Sequence, residues 1–209
     1  MVRVAMDPAK QRRATYQDVL DAPTHMIAEI IGGELRLSPR PDGPVLAVAS
    51  ALRGELGPLR GGRGGPGGWL ILDEPELHFG DEIVVPDLAG WTRERLPVVP
   101  DAAFIRLPPD WVCEVVSPSS ERSDRAEKLP LYASVGVRHA WLVHPLRRTL
   151  EAFRLHEGKW LTLAVYKDSD RVRAEPFDAV ALQLAMLWAD VPLPTQALEP
   201  PVHDAFEGF

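Results

Sequence analysis

The segments "IVVPDLAGW", residues 83–91, and "DWVCEVVSPSS", residues 110–120, decide how this chain is read. Each sets a carboxylate, Asp87 or Glu114, inside or at the end of an apolar run that has the composition of a buried strand. Burying an unpaired charge is expensive. An acid at such a position needs a partner or a task.

Outward from these segments, "WLILDEPELHF" and "EIVVPDLAGW" each read as one strand, "WVCEVVS" as a third and "HAWLVHP" as a fourth. Between the third and fourth, in "SSERSDRAEKLPLYASVGV", Ser and Asp near the start and Gly136 at the end frame a helix. Pro130 removes one backbone donor from it, so its first turns should be irregular. A helical crossover makes the third and fourth strands a parallel pair.

Upstream, Thr15 stands three residues before Asp18, a capping box for a short helix ahead of Pro23. "MIAEIIGGELRLSP" has apolar residues on both sides of Gly32-Gly33, the signature of a two-residue hairpin. Val45, Val48, Leu52, Leu56 and Leu59 recur at helical spacing and predict a helix over 45–59. Downstream, "TLEAFRLHEGKWLTLAVY" predicts a second hairpin around Glu157-Gly158. "GGRGGPGG", residues 61–68, lacks the Lys-Ser/Thr ending of a phosphate-binding loop and reads as a linker, with Arg63 the one residue in it suited to touching nucleic acid.

This order predicts an α/β (α+β) layer fold, a central mixed sheet flanked by helices with the hairpins as added strands. The expected division is a mobile N-terminus over 1–14, a single domain over 15–190 and a proline-rich tail over 191–209 that wraps the surface.

The 209 residues carry a formal net charge of −7, which argues against broad non-specific nucleic-acid binding but not against a local basic groove. Acids gathered to hold metal would themselves lower the sum. The one cysteine, Cys113, excludes an internal disulfide and argues against a cysteine zinc site. Neither an apolar run of membrane-spanning length nor a leader peptide is visible, so the expectation is a cytoplasmic protein with no membrane partner.

If the strands carrying Asp87 and Glu114 are neighbours, the two carboxylates converge and repel unless a cation lies between them. Mg²⁺ or Mn²⁺ suits that arrangement, because Mg²⁺ takes one or two carboxylates and completes its shell with water and phosphate oxygens. Such an ion polarises a phosphate and lowers the pKa of an attacking water. A nearby lysine would neutralise the developing charge.

"VVPDLAGW", "PPDWVCEVVSPSS", "DRAEKLPLYASVGVRHAWLVHP" and "RTLEAFRL" resemble the Uma-two-type restriction-endonuclease family, a bacterial branch of the PD-(D/E)xK nuclease superfamily. The resemblance spans about residues 15–190. It implies an αβββαβ core in which the helix after Glu114 spans 123–135, and a metal-dependent endonuclease acting on nucleic acid, with DNA the expected substrate. Asp87 carries over as the aspartate of PD, Glu114 as the acid of (D/E)xK, and both as ligands of Mg²⁺ or Mn²⁺.

Two departures stand out. Val116 occupies the position of the superfamily lysine, which points to Lys128 on the following helix as its replacement. The histidine that family members often place at the start of the core helix is absent near "PDGPVLAV". Glu29 matches a further acidic position of the family and is an additional candidate, with an edge-strand charge as its plain alternative. Glu76 is a weaker one.

The remaining polar residues have simpler readings. Asp124 reads as a helix cap, Tyr132 as packing on the Lys128 face, and Arg122 or Arg125 as a structural ion-pair partner for Glu114. Trp69, Trp91, Trp111 and Trp141 read as core. The alternatives to an endonuclease are a nuclease-fold binding or regulatory module without cleavage, or a structural homodimer. Cutting both strands of a duplex would be simplest with two sites in a homodimer.

Overall fold

In the computed structural model, the described residues are 12–41, 43–61 and 65–192. The expectations for residues 1–11, for the tail from 193 onward and for Arg63 lie outside them. Residues 12–14 lie against the first hairpin, where the Ala14 N–H donates to the Gly33 carbonyl.

The short helix α1 (Tyr16–Leu20) has the expected capping box, with Asp18 reaching back to the Thr15 N–H. Strands β1 (Met26–Ile31) and β2 (Glu34–Pro39) then pair antiparallel. Gly32 and Gly33 turn this hairpin at φ 64° and 82°, a conformation that only glycine takes without steric cost. Helix α2 (Gly43–Glu55) follows, and a 3₁₀ turn (Gly57–Arg60) completes the stretch read as one helix over 45–59. Pro58 near the head of that turn marks where the α-helix ends.

Two segments depart from the sequence reading. "WLILDEPELHF" divides into β3 (Trp69–Asp73) and β4 (Leu77–Phe79). "EIVVPDLAGW" divides into β5 (Glu82–Val84) and β6 (Leu88–Thr92). In each case the halves belong to different sheets. The breaks fall at proline-containing stretches, and Glu74 beside the first takes a positive φ of 43°.

Strand β7 (Trp111–Val115) leads into a helix built of Glu121–Ser123, a π-helical turn over Asp124–Lys128 and Leu129–Ser134, together called α3. The Leu129 N–H reaches back five residues to the Asp124 carbonyl, just ahead of Pro130, where irregularity was expected. Strands β8 (His139–His144), β9 (Thr149–His156) and β10 (Lys159–Lys167) complete the main sheet, in the order β10-β9-β8-β7-β6-β3. β7 and β8 are its parallel pair, as the crossover requires.

The second sheet has the order β2-β1-β5-β4. The C-terminal hairpin therefore extends the main sheet, whereas the N-terminal hairpin builds a sheet of its own. A two-stranded ribbon, β11 (Arg171–Val172) with β12 (Leu182–Gln183), follows.

Strand alternation divides the interior. Trp111, Cys113 and Val115 face a core shared with α2 and the C-terminal segment, where Trp69, Trp111 and Trp141 all meet Phe177 edge-on. Trp69 is only partly buried, unlike the other three tryptophans. Val112 and Val116 face a second core with Leu129, Tyr132, Leu77 and Val84, between α3 and the small sheet. Glu114 lies between those two valines in sequence, and so on that second face.

Candidate active site

Asp87 owes its place to register. β6 and β7 pair antiparallel with Leu88 opposite Cys113, so one residue further brings Asp87 level with Glu114. Pro86 has no N–H to offer a ladder and β6 begins only at Leu88, which puts Asp87 at the point where the chain leaves one sheet for the other. Its Oδ2 accepts a 2.6 Å hydrogen bond from the Val115 N–H, next in sequence to Glu114.

Glu114 is buried, and both of its oxygens have donors. The Lys128 Nζ stands 3.3 Å from Oε2 and the Tyr132 hydroxyl 2.5 Å from Oε1. Lys128 also stands 2.9 Å from Glu29 Oε1 and 3.9 Å from Asp124 Oδ1. Glu29 reaches the cluster from β1 in the small sheet, held there by a 2.8 Å hydrogen bond from the Val85 N–H. Four acids, Glu29, Asp87, Glu114 and Asp124, thus line one cavity of about 180 Å³ together with a single lysine.

Burial dominates the electrostatics. It pushes the Asp87 carboxyl up to about 6, against the Val115 N–H and Lys128, which pull it down. Glu114 is driven well above the usual carboxylate range by burial, with Lys128 opposing, and Asp124 is raised for the same first reason. Burial alone would lower the Lys128 ammonium, but Glu114, Glu29 and Asp124 outweigh it and hold its pKa above the usual lysine value. The lysine is therefore charged at neutral pH, and Asp87, Glu114 and Asp124 hold their protons more tightly than exposed acids would.

The structure thus brings together all four candidates read from the sequence: Asp87, Glu114, Lys128 and Glu29. It also corrects several neighbours. Asp124 is no surface cap: it is buried and lines the same cavity. Its signal was available, since it precedes Lys128 by four residues and shares its helix face. Tyr132 packs in the second core as read, and its hydroxyl also donates to Glu114. Arg125 pairs with Glu151 and Glu121, not with Glu114. Glu76 lies away from the cluster, 2.6 Å from His78 Nε2.

A divalent ion can be tested against this donor set. Among the described residues, no three His, Cys, Asp or Glu side chains are grouped so as to hold a metal ion by themselves. Asp87 and Glu114 are two raised, desolvated carboxylates at the same level of adjacent strands, beside open space. That matches an ion that takes one or two carboxylates and fills its remaining positions with water and phosphate oxygens.

A mixed six-stranded sheet, a crossover helix and an acid–lysine cavity at the β6–β7 edge define a protein of the restriction-endonuclease-like class. The family model Uma2, described as "Putative restriction endonuclease", matches residues 14–186, and the chain belongs to that family. Among solved structures, the chain is similar to "a putative nuclease belonging to DUF820" from Anabaena variabilis, with a TM-score of 0.65 and 23% identity. That match covers 85% of this chain and 98% of the other, and it shows a shared fold. No curated protein matches the sequence. Among the described residues, no helix is long and apolar enough to cross a membrane.

Proposed function

We propose that the protein is a metal-dependent endonuclease that hydrolyses the phosphodiester bonds of DNA. The observation that supports this best is one cavity lined by Glu29, Asp87, Glu114 and Asp124 in which three of the four carboxylates surround the Lys128 ammonium and Asp87 stands level with Glu114. Asp87 and Glu114 would hold Mg²⁺ or Mn²⁺, and the ion would supply Lewis-acid polarisation of the phosphate and a more acidic water.

The other residues have distinct tasks. Glu29 and Asp124 keep Lys128 charged and fixed, so its ammonium faces the phosphate as charge accumulates on the non-bridging oxygens. Tyr132 fixes the rotamer of Glu114 from the opposite side. In the reaction, a water oxygen bonds to phosphorus as the bridging P–O bond breaks. The water loses its proton to solvent or a phosphate oxygen, and the departing oxygen gains one. Uncatalysed hydrolysis is so slow that the required acceleration is on the order of 10¹⁵. Fixed charges held in place by the fold are the economical source of much of it.

Incubation of plasmid DNA with purified protein in Mg²⁺ or Mn²⁺ tests the proposal. Cleavage is expected, and its loss in Asp87→Ala, Glu114→Gln and Lys128→Ala alike. Absence of cleavage of both DNA and RNA across conditions, with calorimetry still detecting metal binding, would instead establish a non-cleaving module.

A further inference from the structure

The acid–lysine cavity does not end at the cluster. A second cavity of about 330 Å³ lies against α2 and shares Asp87 and Pro41 with it. A third, of about 390 Å³, lies toward α1 and shares Ile27, Arg40 and Val85 with the first and Glu74 with the second. Sharing these lining residues, the three adjoin as the parts of one candidate groove, with Asp87 lining the first two. A nucleic-acid strand brought to Asp87 has to run along this groove, and its phosphates need cations there.

Among the described residues that line the groove, the cations are Lys128, Arg40 and Arg53. Lys128 is buried among three carboxylates and so can face only the phosphate at the cluster itself, not those further along the strand. Arg40 and Arg53 are different: their side chains are 57% and 49% exposed, and among the described residues each pairs with one partly exposed acid. Arg40 stands 3.3 Å from Glu74 and Arg53 2.9 Å from Asp73, adjacent residues where β3 ends. Pairs so open to solvent are weak and exchange readily for a phosphate, which a guanidinium binds in the same bidentate way as a carboxylate.

The segment that carries these two acids is tied to the site itself. The Glu74 N–H donates to the Asp87 carbonyl at 3.0 Å, and the positive φ of Glu74 fixes the turn.

We propose that Arg40 and Arg53 hold backbone phosphates of the bound strand, one on each side of Asp87, with Glu74 and Asp73 occupying those guanidinium groups until the strand displaces them. The assignment rests on the nuclease reading above and adds to it the residues that seat the substrate. It also reconciles an acidic chain with a polyanionic ligand, because the cations are kept neutralised until needed.

Fluorescence anisotropy with a short fluorescein-labelled DNA duplex, titrated over a range of salt in EDTA and again in Ca²⁺, tests the assignment. Arg40→Ala and Arg53→Ala should each weaken binding and reduce the slope of log K against log salt by about 1. Arg40→Lys and Arg53→Lys should restore the slope. Glu74→Gln should tighten binding at low salt. Thermal melting should be nearly unchanged in all of them, since the pairs are exposed.

Wild-type binding with unaltered salt slopes in both alanine variants overturns the assignment while leaving the nuclease reading intact. Weaker binding after Glu74→Gln overturns the role of Glu74. A wild-type protein that binds no nucleic acid in either condition overturns the assignment and the nuclease reading together.

Discussion

The Lys128 ammonium lies 2.9 Å from the Glu29 carboxylate, a contact that joins helix α3, beside the main sheet, to strand β1 of the small one. Lys128 stands in the π-helical turn and Glu29 is anchored by the Val85 N–H, so neither end is a loose surface side chain. Breaking a buried pair from one side leaves uncompensated charge, which costs about 3–5 kcal/mol. Lys128→Met should therefore destabilise the protein by roughly that amount. The loss should shrink as pH falls and the acids protonate, and chemical denaturation at several pH values measures both effects.

Asp87 makes a separate prediction about pH. Its folded-state pKa of about 6 lies above the unfolded value near 4, so the native state holds this proton more tightly. The contribution of Asp87 to stability is fully present below pH 4 and is lost as pH rises through 6. Across that window the loss is on the order of 3 kcal/mol at most. Asp87→Asn, which keeps an acceptor for the Val115 N–H, should raise the melting temperature at pH 7.5 and leave it unchanged near pH 4. Mg²⁺ should stabilise the wild type at pH 7.5 and not the variant.

Tyr132→Phe removes one hydrogen bond from a buried carboxylate without opening a cavity. A loss of about 1–3 kcal/mol is expected for the acceptor left behind. Urea unfolding reads the stability. Cleavage should fall by less than in Glu114→Gln, because Tyr132 orients Glu114 and does not replace it.

Gly90 tests the packing that sets the strand register beneath the site. A methyl group there would stand 3.1 Å from the Trp111 ring and 3.4 Å from that of Trp69. Gly90→Ala should cost about 1–3 kcal/mol by overpacking. Because Gly90 pairs with Trp111 in the register that brings Asp87 level with Glu114, activity should fall with stability.

The sequence was legible wherever local chemistry decides the outcome. The glycine pair at 32–33, the capping box at Thr15 and the parallel β7–β8 crossover were all readable, and the resemblance pointed to Asp87, Glu114, Lys128 and Glu29. The breaks in β3–β4 and β5–β6 were not, because the apolar pattern stays continuous while the chain changes sheets, and only the prolines and the turn at Glu74 mark the change. Asp124 was misjudged for a related reason. A helix-start aspartate is usually solvated, and what buries this one is the packing of the small sheet over α3, a long-range fact that its four-residue spacing from Lys128 hints at but does not give.

After Asp73 the chain passes from the main sheet to the small one and after Val84 it returns, and the candidate site lies where that return rejoins the main sheet. The cluster is therefore less a pocket carved into one scaffold than a seam between two. Glu29 arrives with one sheet, Asp87 and Glu114 with the other, and Lys128 fastens them from a helix. Any change that parts the sheets takes the acids from their lysine, so docking of the small sheet and assembly of the site are a single event.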